Sequence, residues 1–207
     1  MNKELQKRIL SSIVLFPLAL YFLYAGSFYL IFFTIICFFV SVYEWNKMVK
    51  NIKLNFLGTL FLVLSFYTFY IISKDIFLSF FVLSVCISTD IGGYIFGKLI
   101  KGPKLTKISP NKTFSGMIGG YFLSLIILSI FMSLENHTVD LEWFTVTILI
   151  STVSQIGDIV ISYFKRLSKV KDTGKIIPGH GGLLDRIDGM IFAYPFFYLI
   201  IMIGYLS

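Results

Sequence analysis

From position 9 to 42 the chain is almost continuously apolar. As one helix this stretch would run about 50 Å at 1.5 Å per residue, against a hydrocarbon core of about 30 Å. It must fold back, and Gly26-Ser27 is the natural reversal, giving spans over 9–25 and 28–43. Further apolar stretches cover 56–73, 76–97, 116–134, 143–164 and 187–206. The pattern predicts an all-α polytopic membrane protein with about seven transmembrane helices. The first span follows Lys3, Lys7 and Arg8 as a secretory signal would. No small-residue cleavage pattern comes after it and a second span begins at once, so it is read as retained. With no internal repeat, low-complexity linker or long extramembrane segment, residues 1–207 are expected to form one membrane-embedded domain.

Composition agrees: 57% of residues are hydrophobic and 14% charged, too apolar for a soluble domain of 207 residues. The formal charge of +7 would suggest nucleic acid or anionic lipid in a soluble protein, but here it is read against topology. Of the 18 Lys and Arg residues, alternation of the spans puts only Lys74 on one side. The positive-inside rule then makes the N-terminus and the two long basic loops cytoplasmic, and no nucleic-acid partner is expected. Cys37 and Cys86 lie in apolar runs and read as small hydrophobic side chains, not a disulfide.

Some polar groups are out of place in such spans. Ser151, Gln155, Asp158, Ser162, Lys165 and Lys169 recur at steps of four and three, a stripe expected along one face of the sixth span. Ser and Gln are common helix-to-helix glue, but a carboxylate at membrane depth costs about 2.5 kcal/mol or more and needs a cation, a metal or water. Asp158 is therefore a functional candidate. Asp90, about two turns before Lys98, is a second; the Gly92-Gly93 pair after it suits close helix packing. The loop from Lys104 through Lys112 and Thr113 to Gly116 opens the fifth span, where backbone donors suit phosphate or an anionic headgroup.

Between Ser162 and Asp188, Lys165, Arg166, Lys169, Lys171, Lys175 and Arg186 stand beside Asp172, Asp185 and Asp188 around a Pro178-Gly179-His180-Gly181-Gly182 turn. Six cations can hold a polyphosphate, carboxylates a hard divalent metal, and glycines let backbone N–H groups approach phosphate oxygens. This is the composition of a nucleotide-handling site at a membrane surface. His180 reads equally as a phosphate contact or as loop architecture. The only other histidine, His137, is expected on the opposite side, which disfavours zinc.

The segment from Ser162 to Asp188 closely resembles the signature of phosphatidate cytidylyltransferases, the CDP-diacylglycerol synthases. The matching positions are Ser162, Lys165, Arg166, Lys171, Asp172, Gly174, Pro178, His180, Gly181, Gly182, Asp185, Arg186 and Asp188. Asp158 and the Ser109-Pro110-Asn111-Lys112-Thr113 loop also look like family features. The likeness therefore covers roughly 90–189, with the signature region at 154–189. Ser115 departs from the Glu that many members carry before the glycine of the basic loop. The chain is also shorter than larger members, which have further N-terminal helices.

The resemblance implies that phosphatidate attacks the α-phosphorus of CTP, giving CDP-diacylglycerol and pyrophosphate. A phosphate monoester is largely dianionic at neutral pH, so charge neutralisation and alignment matter more than a base. On this reading Asp158 and Asp185 bind Mg²⁺, or Mn²⁺ in its place, with Asp188 as ligand or support. Asp158, Asp185, Lys165 and Arg186 are the catalytic set. Ser162, Arg166, Lys171, Asp172, His180, Gly181, Gly182, Lys112, Thr113 and Asp90 face the substrates. The partners are CTP, phosphatidate and the bilayer, with a homodimer left open. A bacterial inner membrane with a cytoplasmic active site is expected, since no Arg- and Ser-rich presequence is present. Two alternatives remain: a CTP-dependent polyprenol kinase attacking the γ-phosphorus, and a cation-coupled transporter using Asp90 and Asp158.

Overall fold

The computed structural model describes residues 17–106, 108–109, 112–136, 138–179 and 181–206. Expectations for Lys3, Lys7, Arg8, Lys107, Pro110, Asn111, His137 and His180, and for the first half of the first span, lie outside these residues. The described residues are helical: α1 (17–25), α2 (Ser27–Met48), α3 (Ile52–Ile72), α4 (Ile76–Leu99), α5 (Phe114–Leu134), α6 (Leu141–Leu167), α7 (Leu184–Ile187) and α8 (Met190–Met202). Among them there is no strand, only isolated bridges at Lys104–Thr113 and Ile177–Gly181. Five helices, α2 to α6, are long and apolar enough to cross a membrane. The last expected span is interrupted at Asp188-Gly189, and α8 has 13 residues, about 20 Å, with Pro195 inside it. The protein is an integral membrane protein, all-helical among the described residues.

The chain divides into two compact units, 1–76 with 164–187, and 77–163 with 188–207. In the first, α2 and α3 form a helical hairpin. Asn51 caps α3, its Oδ1 accepting the N–H groups of Lys53 (3.0 Å) and Leu54 (3.2 Å), while α2 ends where Val49 turns extended. Trp45 locks the pair: its Nε1 donates to Asn55 O at 3.1 Å, and its indole fills the space a Cβ at Gly58 would occupy. The Phe164 ring meets the indole edge-on at 5.0 Å.

The second unit packs α4, α5, α6 and α8. Gly92 and Gly93 of α4 lie backbone-to-backbone against Gly116, Gly119 and Gly120 of α5, so the glycine pair after Asp90 is a helix-contact surface. Phe81 is fully buried, with Phe131 at 5.5 Å and Trp143 at 5.1 Å. Ser151 sits 2.8 Å from Thr89 and accepts from Gln155 at 3.4 Å, the polar glue expected of those residues. Gly157 admits Phe192 and the Asp188 carbonyl, and Gly189 admits Ser154, which seats the chain after Asp188 against α6.

Candidate active site

In the second unit the described residues of the α4–α5 connection are tied together by backbone bonds. Leu105 N donates to Lys112 O (2.8 Å), Lys112 N to Ser109 O (3.0 Å) and Phe114 N to Pro103 O (3.1 Å). Gly102, at φ +117°, takes a conformation that side chains resist. Thr113 caps α5 through its Oγ1, which accepts Gly116 N at 3.1 Å and also meets Ser115 Oγ at 2.9 Å. Ser115 in turn donates to Lys101 O. The expected substrate group Thr113 is thus engaged in building the helix start, and Ser115 in tying down the loop. Lys112, held by backbone bonds on both of its polar groups, forms an ion pair with Asp158 on α6. The second Asp158 oxygen accepts Ser162 Oγ at 3.4 Å. Asp158 therefore satisfies the condition set by its depth: it has a cation. Asp90 occupies an exposed position on α4. Asp188 is buried, with Oδ1 accepting Gly189 N at 3.0 Å.

In the first unit the remaining signature residues form a compact loop. The stripe expected along α6 ends before Lys169. Val170 N donates to Lys165 O and Lys169 N to Arg166 O, with Lys169 at φ +54°, a Schellman-type stop that turns the chain off the helix. Beyond it, Asp185 organises the loop. Oδ1 accepts Lys165 Nζ at 2.8 Å, and Oδ2 accepts the N–H groups of Thr173 (2.8 Å) and Gly182 (3.0 Å). The pair is well shielded, with Lys165 12% and Asp185 5% exposed. Gly181, at φ +88°, leaves room for Asp185 Oδ2 and the Asp172 side chain. The glycines thus serve the carboxylates: the Gly182 N–H goes to Asp185. Lys171, Asp172 and Lys175 are exposed on this loop, as are Arg166 at the end of α6 and Arg186 on α7.

One participant was not anticipated. Glu44 on α2 is 1% exposed, and its carboxylate accepts from Thr173 Oγ1 and from the N–H groups of Leu183 and Leu184. The available signal was a lone acid in the apolar run 27–48. An expected span end at 43 left it one residue outside the membrane.

Among the described residues no three His, Cys, Asp or Glu side chains are gathered as a ready-made metal cage. Mg²⁺ does not require one, since it binds through one or two carboxylates together with substrate phosphates and water. Asp158 and Asp185 share a suitable design: each sets one oxygen against a lysine ammonium, at a position where positive charge is already stabilised. Each carboxylate taken by itself offers the hard anionic oxygen that such a cation takes.

The model of the cytidylyltransferase family matches residues 52–203, and the chain belongs to that family. It is similar to the phosphatidate cytidylyltransferase of Staphylococcus saprophyticus subsp. saprophyticus, 47% identical over 110 residues, which are 52% of this chain and 42% of that protein. It is also similar to the phosphatidate cytidylyltransferase of Bacillus subtilis, 40% identical over 124 residues, 59% of this chain and 46% of that protein. The matched stretch spans less than half the length of these relatives.

Proposed function

We propose that the chain transfers the cytidylyl group of CTP to phosphatidate. An oxygen of the phosphatidate phosphate bonds to the α-phosphorus, the bond from that phosphorus to the bridging oxygen of the β-phosphate breaks, and pyrophosphate leaves. The observation that carries this reading is the Asp185-centred loop. One carboxylate holds Lys165 and two backbone amides, and Arg166 and Lys171 are exposed beside it. The names of the relatives supply the acceptor, phosphatidate. Asp158 and Asp185 are the proposed Mg²⁺ carboxylates, with Asp188 as ligand or support. When bound, Mg²⁺ would neutralise triphosphate charge. Lys165, Arg166, Lys171 and Arg186 grip phosphates, and Lys112 is placed to meet a phosphate once Asp158 binds the metal. Because the acceptor is already anionic, no residue is assigned as a base.

The test supplies purified protein with phosphatidate, Mg²⁺ and CTP labelled in either the α- or the γ-phosphate. Label in lipid from the α-position, with stoichiometric pyrophosphate, is expected. Lipid labelled from the γ-position would make the protein a kinase, and no labelled lipid from folded protein would reopen the transporter reading.

We place this chemistry at the cytoplasmic face of a bacterial inner membrane, in a chain that crosses seven times, with 9–25 and the segment around α8 completing the five long helices. Tyr43 with Lys47 and Tyr94 with Lys98 make cation–π pairs near the C-terminal ends of α2 and α4, as interfacial anchors do. In a Cys37→Ala, Cys86→Ala background, Ser168→Cys should react with an impermeant thiol reagent only from the cytoplasmic side and Thr138→Cys only from the outside. Labelling of both from one side would remove α6 from the list of spans.

A further inference from the structure

Glu44 reaches the signature loop from 129 to 140 residues away in sequence. Its Oε2 accepts Thr173 Oγ1 at 3.2 Å and Leu184 N at 2.9 Å, and its Oε1 accepts Leu183 N at 3.0 Å. Together with the Gly182 N–H on Asp185, three consecutive backbone donors, 182 to 184, end on carboxylates. Two glycines of the signature are shaped around the same group, because a Cβ at Gly174 or Gly182 would collide with the Glu44 carboxylate. Burying a carboxylate this completely is unfavourable unless donors surround it, and three do. Asp185 ties the loop to itself and to Lys165. Glu44 ties it to α2, so without Glu44 the loop would be closed and held to α6 through Lys165 but not fixed on α2.

We propose that Glu44 is a positioning residue, the fixed template on which segment 173–184 closes, so that the flanking cations Lys171 and Arg186 are presented in one arrangement to the nucleotide phosphates. This rests on the reading that the loop holds CTP. Glu44 is assigned no substrate contact, because its oxygens are turned to the loop backbone and Thr173. An amide cannot replace it, since Gln has one accepting oxygen and its NH₂ would face an N–H.

The experiment uses the full chain in lipid nanodiscs and follows backbone hydrogen exchange by mass spectrometry beside steady-state kinetics. Glu44→Gln should speed exchange over 173–186 by about tenfold or more, the scale of losing a hydrogen bond to a charged group, and leave α4 and α5 unchanged. KM for CTP should rise about tenfold, and Glu44→Asp should recover part of the loss. Gly174→Ala, whose Cβ would meet Glu44 atoms, should raise loop exchange in wild type but add nothing in Glu44→Ala. Should Glu44→Gln fail to fold, Thr173→Val removes a single bond and is expected to show a smaller rise confined to the same segment. Unchanged loop exchange in the folded variants, or a rise spread equally over α4 and α5, overturns the proposal. The exchange arm needs no turnover. A wild-type protein that makes no CDP-diacylglycerol yet shows the Glu44-dependent loop would refute the functional reading and leave only the anchoring of the loop by Glu44 standing.

Discussion

Asp185→Asn is expected to lower turnover by on the order of a thousandfold, about 4 kcal/mol of barrier, while the protein still inserts into the membrane. Asn can keep its oxygen on the N–H groups of Thr173 and Gly182, which share Oδ2, so the loop retains its local closure. Its NH₂ then replaces the oxygen that faces Lys165, setting donor against ammonium in a pair that is 12% and 5% exposed. Removing one partner of a shielded pair costs about 3 kcal/mol because the other charge is stranded. A lowered melting temperature should accompany the lost activity. Adding Lys165→Met should restore much of the melting temperature and none of the turnover. Recovery of turnover in the double variant would show that the Asp185–Lys165 pair serves stability alone.

Asp158→Asn should produce a loss of similar size, on the order of a thousandfold, for a different reason. Its carboxylate is only partly shielded, 27% exposed against 23% for Lys112, so little stability is at stake and the melting temperature should hardly move. What disappears is a hard anionic oxygen for Mg²⁺, and an amide binds that ion much less well. The Mg²⁺ concentration giving half-maximal rate should rise steeply in Asp158→Asn, whereas Lys112→Met should raise KM for CTP and leave the Mg²⁺ requirement near wild type. If the pair were merely a tether from the α4–α5 loop to α6, the two variants would fail alike and their effects would not add. Identical Mg²⁺ titrations for the two variants would remove Asp158 from the metal site.

Much of the fold was legible along the chain because lipid imposes a simple condition: a span must be apolar for about 20 residues and satisfy its own backbone bonds. That condition located α2 to α6 to within a few residues. It did worse where tertiary contacts override periodicity. Lys169 was drawn onto the α6 stripe by spacing, yet the helix stops at Leu167 because the chain must turn back into the Asp185 loop. The run 187–206 read as one span, whereas the helix starts only at Met190, after Asp188-Gly189, where Gly189 closes onto Ser154.

The sequence by itself determined the membrane class, the family and the residues of the basic loop, since hydropathy and a spaced signature are properties of order along the chain. Tertiary structure alone decided what those residues do to one another. It gave Thr113 to a helix cap and the Gly182 N–H to Asp185, paired Lys112 with Asp158 and Lys165 with Asp185, and set Gly174 and Gly182 around a carboxylate from α2. Glu44 marks the boundary most clearly. A lone acid at the end of an apolar helix has no periodic partner within its own segment, and its three donors come from 173, 183 and 184, so only folding could reveal why a buried charge is tolerated there.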